Sequence, residues 1–168
     1  MTSLRHVINL RLSANQVTAI ADGSFRPTGG SVQILDLSSN LLSTATQQTF
    51  VGVETVLHLD LSANRLKSVD GAFASMKDLT RLDLRNNRLV ELSASTFRGL
   101  SSLRYLLLSS NEISSVDRRA FRALERLVYL LLKDNPIGTH VVRFQFHSPS
   151  LSYLDISECG FMEVRERV

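Results

Sequence analysis

The sequence predicts an α/β solenoid, a stack of similar coils in which each coil adds one short strand to a continuous parallel sheet. Two observations carry this prediction. A segment of about 24 residues recurs seven times through the 168-residue chain, and each copy holds two aliphatic residues two positions apart, with a small polar residue three positions further on. A coil of this size cannot bury its own apolar side chains, so each coil has to stack on the next and the core runs along the whole array.

The two aliphatic residues of each copy are predicted to point inward from a strand, because alternate strand residues share a face. These pairs are Leu10 and Leu12, Leu35 and Leu37, Leu59 and Leu61, Leu82 and Leu84, Leu106 and Leu108, Leu130 and Leu132, and Leu154 and Ile156. A phenylalanine recurs nine or ten residues after the polar position in five copies, and we expect it to pack as an aromatic spine on the opposite side of the core. The spine residues are Phe25, Phe50, Phe73, Phe97 and Phe121.

One polar position sets the register of the repeat. It is occupied by Asn15, Asn40, Asn64, Asn87, Asn111, Asn135 and Cys159, in steps of 25, 24, 23, 24, 24 and 24 residues. We expect the asparagine to lie where each strand turns into the return segment, because a buried amide offers donors and an acceptor to backbone groups that have lost their ladder partners. A small buried thiol fits the same place, so the predicted role of Cys159 is structural.

The shared string LxxLxLxxNxL, with an apolar residue three positions further on and the phenylalanine beyond it, resembles the leucine-rich repeat family. The resemblance covers all seven copies and is closest to the 24-residue class, which is typical of extracellular and cell-surface members. It implies a horseshoe with short parallel strands on the concave face and irregular or 3-10 return segments on the convex face. We therefore expect residues 1–168 to form a single domain of seven repeats, without the cysteine-rich caps usual in that class.

Composition and charge argue against several classes of protein. With 43% apolar and 21% charged residues, the chain is ordinary for a globular domain. The net charge of +3 comes from basic residues interleaved with acidic ones, so we expect no nucleic-acid partner. The longest apolar run, from Leu127 to Leu132, is far shorter than the roughly 20 residues that cross a bilayer, and we expect no membrane contact within this chain. We identify no signal peptide and no Asn-x-Ser/Thr sequon.

No group of residues has the pattern of a catalytic site, so we expect no enzyme activity, no cofactor and no metal. His140 and His147 lie seven residues apart in an irregular return segment, but they lack cysteine or acidic neighbours at the spacing of metal ligands. Four arginines, Arg118, Arg119, Arg122 and Arg126, cluster in the return segment DRRAFRALERL. An acidic polysaccharide or a phosphate surface could bind there, although the acidic residues among them favour an ordinary solvated convex face.

Three aspartates occupy equivalent positions on neighbouring strands. Asp36, Asp60 and Asp83 should lie about 4.8 Å apart, the spacing between strands of a sheet. Such a row could hold a cation or raise the pKa of its own carboxyls. We favour instead a solvated acidic row that is neutralised by Arg81 and Arg85.

The stretch RYLLLSSNEI, from Arg104 to Ile113, contains three successive leucines where the inward pattern needs two. The residue between two inward leucines should face solvent on the concave side. Across the seven copies this row reads Arg11, Asp36, Asp60, Asp83, Leu107, Leu131 and Asp155, and the row two residues earlier reads Asn9, Ile34, His58, Arg81, Tyr105, Tyr129 and Tyr153. The sequence therefore predicts an exposed apolar and aromatic patch in the last three repeats, beside a charged region in repeats two to four.

An apolar patch on an exposed sheet face is typical of a binding surface. The predicted partner-binding residues are Tyr105, Leu107, Tyr129, Leu131, Lys133, Tyr153, Arg81, Asp83 and Arg85. The resemblance then implies an extracellular or cell-surface module, a receptor or adhesion ectodomain or a fragment of one, that recognises a protein through its concave face. One alternative is that the patch only stabilises the sheet through cross-strand pairs. Two others are an intracellular scaffold or regulator, favoured by the single cysteine and the absent signal, and a structural protein that self-associates through uncapped ends.

Overall fold

A computed structural model describes residues 4–139 and 148–162. The strands are β1 (Asn9–Arg11), β2 (Ile34–Asp36), β3 (His58–Asp60), β4 (Arg81–Asp83), β5 (Glu91–Leu92), β6 (Tyr105–Leu107), β7 (Ser115–Val116), β8 (Tyr129–Leu131) and β9 (Tyr153–Asp155). Within the described residues, seven of them form one parallel sheet in the order β1-β2-β3-β4-β6-β8-β9. Equivalent residues of successive repeats pair directly, so that Leu35, Leu59 and Leu82 lie level across the sheet. The solenoid and its predicted register are confirmed.

The return segments connect one sheet strand to the next. They contain short 3-10 helices at Arg26–Thr28, Gln47–Phe50 and Pro136–Thr139, as the resemblance implied. The two-residue strands β5 and β7 also pair in parallel, with Leu92 opposite Val116, and this second sheet was not predicted. The structure does not describe residues 140–147 of the sixth return segment, which include His140 and His147.

The core lies between the large sheet and the return segments. At β2, β3, β4, β6 and β8 both leucines of each predicted inward pair are buried. These residues are Leu35, Leu37, Leu59, Leu61, Leu82, Leu84, Leu106, Leu108, Leu130 and Leu132. At the two ends of the sheet burial is less complete: Leu10, Leu12 and Ile156 are half-buried and Leu154 is 39% exposed. The end strands have a sheet neighbour on only one side among the described residues, which leaves part of their inward side chains uncovered.

The phenylalanine spine is confirmed. All five rings are buried, and neighbouring rings pack in pairs along the array. The ring centroids of Phe50 and Phe73 lie 5.8 Å apart, and those of Phe97 and Phe121 lie 5.9 Å apart with planes 18° from parallel. The spine therefore holds the return segments in the same register as the sheet.

The asparagine side chain bonds two successive coils together. The Asn87 side-chain amide donates to the carbonyl of Leu84 in its own coil at 3.1 Å and to that of Leu61 in the preceding coil at 2.9 Å. Its oxygen accepts the backbone N–H of Leu66, also in the preceding coil, at 3.0 Å. The same set of bonds is made by Asn40, Asn64, Asn111 and Asn135. The predicted role of the asparagine is confirmed, and it extends to the preceding coil.

The residue before this position has a left-handed backbone in every repeat. Its φ lies between 52° and 58° at Ala14, Ser39, Ala63, Asn86, Ser110, Asp134 and Glu158. This conformation costs an L-residue other than glycine roughly 1–2 kcal/mol. It turns the N–H of the residue toward the next coil, as in the 2.9 Å bond from Ala63 to the carbonyl of Arg85. The hydrogen bonds of the turn thus offset a strain that recurs once per coil.

Cys159 replaces the asparagine in the last coil and is 2% exposed. Its thiol donates to the carbonyl of Leu132 at 3.2 Å, as Asn135 donates to Leu108 one coil earlier. A thiol is only a weak acceptor, and the Ile137 N–H bonds to the Asn135 backbone carbonyl at 2.8 Å instead of to the side chain at 159. Loss of solvation by burial raises the pKa of the Cys159 thiol.

We predict that Asn87→Ala lowers the free energy of unfolding by about 1–3 kcal/mol, because the buried Leu66 N–H loses its acceptor. Urea denaturation followed by circular dichroism measures the change. Asn15→Ala is the matched control: Asn15 is exposed and bonds only within its own turn, so its loss should stay within about 0.5 kcal/mol. Equal losses in the two variants would contradict the inter-coil role.

We also predict that Cys159 reacts with a soluble disulfide reagent at least about tenfold more slowly in the native protein than in urea, since it is buried and its pKa is raised. The absorbance of the released thiolate measures both rates on one sample. Labelling of the native protein at the unfolded rate would show that the last coil opens freely.

Candidate functional site

The outer face of the seven-stranded sheet, which points away from the core, carries the predicted site. Tyr105, Tyr129 and Tyr153 are direct neighbours on β6, β8 and β9 and form a tyrosine ladder. The ring centroids of Tyr105 and Tyr129 lie 6.1 Å apart at a tilt of 42°, and those of Tyr129 and Tyr153 lie 4.3 Å apart and nearly parallel. Tyr105 is 41% and Tyr153 46% exposed, whereas Tyr129 between them is half-buried. The predicted alignment of the three tyrosines is confirmed.

Contact within the ladder affects the ionisation of its last member. Electrostatic repulsion from Tyr129 raises the pKa of Tyr153, and the hydrogen bond between the two phenols and the negative charge of Asp155 raise it further. The Tyr153 phenol therefore stays neutral over a wider pH range than a free tyrosine. At physiological pH it is a neutral ring whose hydroxyl is hydrogen-bonded to that of Tyr129.

The prediction that Leu107 is exposed was wrong. Leu107 lies on the outer face of β6, but only 3% of it is exposed. Its register neighbours are Asp83 on β4 and Leu131 on β8, and strands about 4.8 Å apart bring such side chains into contact on both sides. Leu131 is half-buried. The two leucines thus form an apolar floor next to the ladder, and the tyrosines supply most of the accessible apolar surface.

The prediction of a solvated acidic row was also wrong. Asp36 and Asp60 are half-buried, and each carboxylate accepts hydrogen bonds from the hydroxyl and the backbone N–H of the serine two residues later. Burial raises the pKa of Asp36, but the hydrogen bonds from Ser38 outweigh it and the pKa is lowered overall. Hydrogen bonds from Ser157 lower the pKa of Asp155 in the same way. These carboxylates stabilise the turns that follow the strands.

Asp83 is the most buried carboxylate of this row, at 2% exposed, and it forms a two-pronged ion pair with Arg85. Arg85 Nε donates to Oδ1 at 2.9 Å and Nη2 donates to Oδ2 at 2.6 Å. This hydrogen bonding raises the pKa of Arg85. The predicted neutralisation by Arg85 is confirmed, while Arg81 is exposed and forms no salt bridge with any described residue. Arg81 is therefore the more available cation on this side of the ladder.

Lys133 marks the other edge of the site. Its ammonium lies 3.0 Å from the Glu158 carboxylate, and this hydrogen bond raises the pKa of Lys133. Sequence reasoning missed Glu158, although its position in the following repeat was a usable signal. Both side chains are exposed, so the pair contributes little to stability.

No three histidine, cysteine or acidic side chains of residues 4–139 and 148–162 come together as metal ligands. None of the described helices has the length and apolarity to cross a membrane. What the site offers is a rigid aromatic surface with charged edges.

Comparison with known proteins gives the same kind of fold. The family model described as "Leucine rich repeat" matches residues 5–66, 30–89 and 77–137. The chain is 34% identical over 91 residues to human "Leucine-rich repeats and immunoglobulin-like domains protein 1", covering 54% of this chain and 8% of that protein. It is 36% identical over 93 residues to mouse Toll-like receptor 9, covering 52% and 9%. The chain thus spans less than a tenth of the length of these curated relatives.

Solved structures are also similar. The protein in the TLR13–ssRNA13 complex matches with a TM-score of 0.85 and 28% identity over 91% of this chain and 22% of that one. The leucine-rich repeat domain of APL1B matches with a TM-score of 0.71 and 27% identity over 79% and 38%. The Toll–Spatzle complex, from a system of Drosophila development and innate immunity, matches with a TM-score of 0.60 and 35% identity over 62% and 14%.

Proposed function

Since the chain belongs to the leucine-rich repeat family, we propose that it is a receptor-type binding module that recognises a protein ligand through its concave face, at the cell surface or outside the cell. The concave face is the outer face of the sheet, and the module has no catalytic activity. The observation that carries the proposal is the tyrosine ladder, with both of its end members more than 40% exposed on a rigid sheet.

The ladder suits a protein ligand because of its composition and its rigidity. Parallel sheets are usually covered on both faces, so exposed aromatic rings on one face favour a partner that covers them. Tyrosine offers a large contact area for the loss of only two side-chain torsions, and it is enriched among the residues that dominate binding energy. Backbone pairing on both sides of β6 and β8 holds Tyr105 and Tyr129 in place before a ligand arrives.

The surrounding residues divide into a floor and a charged rim. Leu107 and Leu131 support the ladder, and the Asp83–Arg85 ion pair supports it from the β4 side. Arg81 and Lys133 stand at the rim. This arrangement favours a ligand with an apolar or aromatic centre and a carboxylate opposite Arg81, because Arg81 forms no salt bridge with any described residue whereas Lys133 is paired with Glu158.

A protein ligand is also favoured by how the rings stack. Tyr129 and Tyr153 lie face to face at 4.3 Å, so their inner faces already contact each other and are closed to a nucleic-acid base. Among the solved relatives, the Toll–Spatzle complex pairs this kind of chain with a partner, while the TLR13 complex contains single-stranded RNA. RNA is therefore a competing outcome that the experiment has to separate.

We predict that Tyr105→Ala and Tyr153→Ala each weaken protein binding by about 2 kcal/mol or more, close to 30-fold, while the free energy of unfolding falls by less than about 1 kcal/mol. The chain is screened against a panel of purified secreted and membrane-protein ectodomains, and each binder is titrated against both variants. Val90→Ala, which shortens an apolar side chain that is 45% exposed away from the sheet, is the control and should bind normally.

Three outcomes would contradict the proposal. Variants that lose stability but bind normally would leave the ladder a sheet-stabilising feature only. Tyrosine-dependent binding of a single-stranded RNA oligonucleotide, tighter than that of any protein in the panel, would make the ligand a nucleic acid. A molecular mass that rises with concentration in sedimentation, with no ectodomain bound, would support a self-associating structural protein.

A further inference from the structure

The convex side carries a second charged surface, distinct from the concave site. Arg98, Arg118, Arg119, Arg122 and Arg126 are all exposed on the return segments that follow β5 and β7, and we call them the arginine ridge. They occupy two adjacent coils, with one arginine on the first coil and four on the second.

A rigid base fixes the distance between the two coils of the ridge. Arg98 and Arg122 occupy equivalent turns, in which their N–H groups donate to the carbonyls of Ser95 at 3.2 Å and Arg119 at 3.0 Å. Each follows directly on a buried spine phenylalanine, and the rings of Phe97 and Phe121 stack 5.9 Å apart. The two guanidinium groups therefore extend from neighbouring points of a packed core.

The positive charge of the ridge is largely uncompensated. No carboxylate of the described residues lies within salt-bridge distance of Arg98, Arg118, Arg122 or Arg126. Among these arginines only Arg119 forms a salt bridge, in which its Nε lies 3.9 Å from the Asp117 carboxylate and both groups are exposed. The same carboxylate oxygen already accepts the Arg119 backbone N–H at 2.7 Å. Five guanidinium groups thus share this side with three carboxylates, those of Asp117 and Glu125 and that of Asp70, which accepts hydrogen bonds from Ser93 and Thr96 of the Arg98 coil.

We propose that the arginine ridge binds a sulfated polysaccharide, independently of the ligand on the concave face. The planar guanidinium fork bonds two oxygens of a sulfate group at once, and several forks on one surface engage successive groups of a flexible polyanion. Release of counterions from the polyanion supplies the free energy, as it does when proteins bind nucleic-acid backbones.

The arginine ridge lacks exposed apolar side chains, and this favours a polysaccharide over other anionic partners. Between residues 93 and 127 the structure exposes one large apolar side chain, Tyr105, which belongs to the opposite face. The ridge therefore offers no aromatic ring for a base to stack on and no apolar anchor for a bilayer or a protein interface. Recognition by charge alone fits a sulfated sugar chain.

The test measures binding of a heparin dodecasaccharide by calorimetry in 0.15 M NaCl and over a series of salt concentrations. The double variant Arg98→Gln/Arg122→Gln should bind on the order of tenfold more weakly, and the slope of log K against log salt should fall by about two. The matched control is Arg65→Gln/Arg88→Gln, which removes two exposed arginines from adjacent coils elsewhere on the solenoid. Its affinity should change less than about twofold.

Several results would overturn the proposal. One is the absence of heparin binding at 0.15 M NaCl, and another is an equal loss of heparin affinity in the two double variants. The others are desulfated heparin that binds as tightly as heparin, or oligouridine of the same length that binds more tightly than heparin. Thermal melts check that the variants fold, and Arg118→Gln/Arg126→Gln serves as a second ridge variant. Tyr105→Ala should bind heparin like the unaltered chain, so a failure of the ridge proposal is distinguishable from a failure of the concave-face proposal.

Discussion

The buried asparagine that bonds one coil to the preceding one is the constraint on which the rest of the structure depends. Its oxygen accepts a backbone N–H of the coil before it, and its amide donates to carbonyls of both coils, so two coils can stack in only one register. That register brings Tyr105, Tyr129 and Tyr153 level on one face, and it also stacks the spine phenylalanines on the other. The tyrosine ladder and the core are thus set by the same hydrogen bonds, although the asparagine side chain bonds only to backbone groups.

Periodic features of the fold were predictable from the sequence because each is repeated several times in the chain. The inward leucines, the asparagines, the spine phenylalanines and the tyrosine ladder all follow from a 24-residue period combined with the alternation of strand side chains. Alternation gives the direction of a side chain and not the depth at which it lies. Leu107 and Asp83 point outward as predicted, yet both are buried, since their coverage comes from side chains on neighbouring coils and from the Arg85 ion pair.

Strands β5 and β7 show a different limit of sequence reasoning. Each has two residues, too few for an alternating pattern to stand out, and they pair because the asparagine turn places equivalent residues of adjacent coils side by side.

The tyrosine ladder and the arginine ridge differ in the interaction that each offers to a partner. Burial of tyrosine rings is insensitive to salt, whereas a polyanion held by arginines is released as salt rises. If both proposals hold, salt concentration separates binding at the two surfaces.

The hydrogen bond from a backbone N–H of one coil to the asparagine side-chain oxygen of the next coil has nearly the same distance at each repeat that makes it. The coils themselves contain different numbers of residues. The distance is 3.0 Å at Val17, Leu42 and Leu66, across steps of 25, 24 and 23 residues. The return segments, including the Arg26–Thr28 helix in the longest coil, absorb the additional residues. In this chain the differences in repeat length therefore fall in the return segments, while the strand and its turn keep the same geometry. The convex outline of the array thus varies from coil to coil, while its strands keep a constant spacing on the concave face.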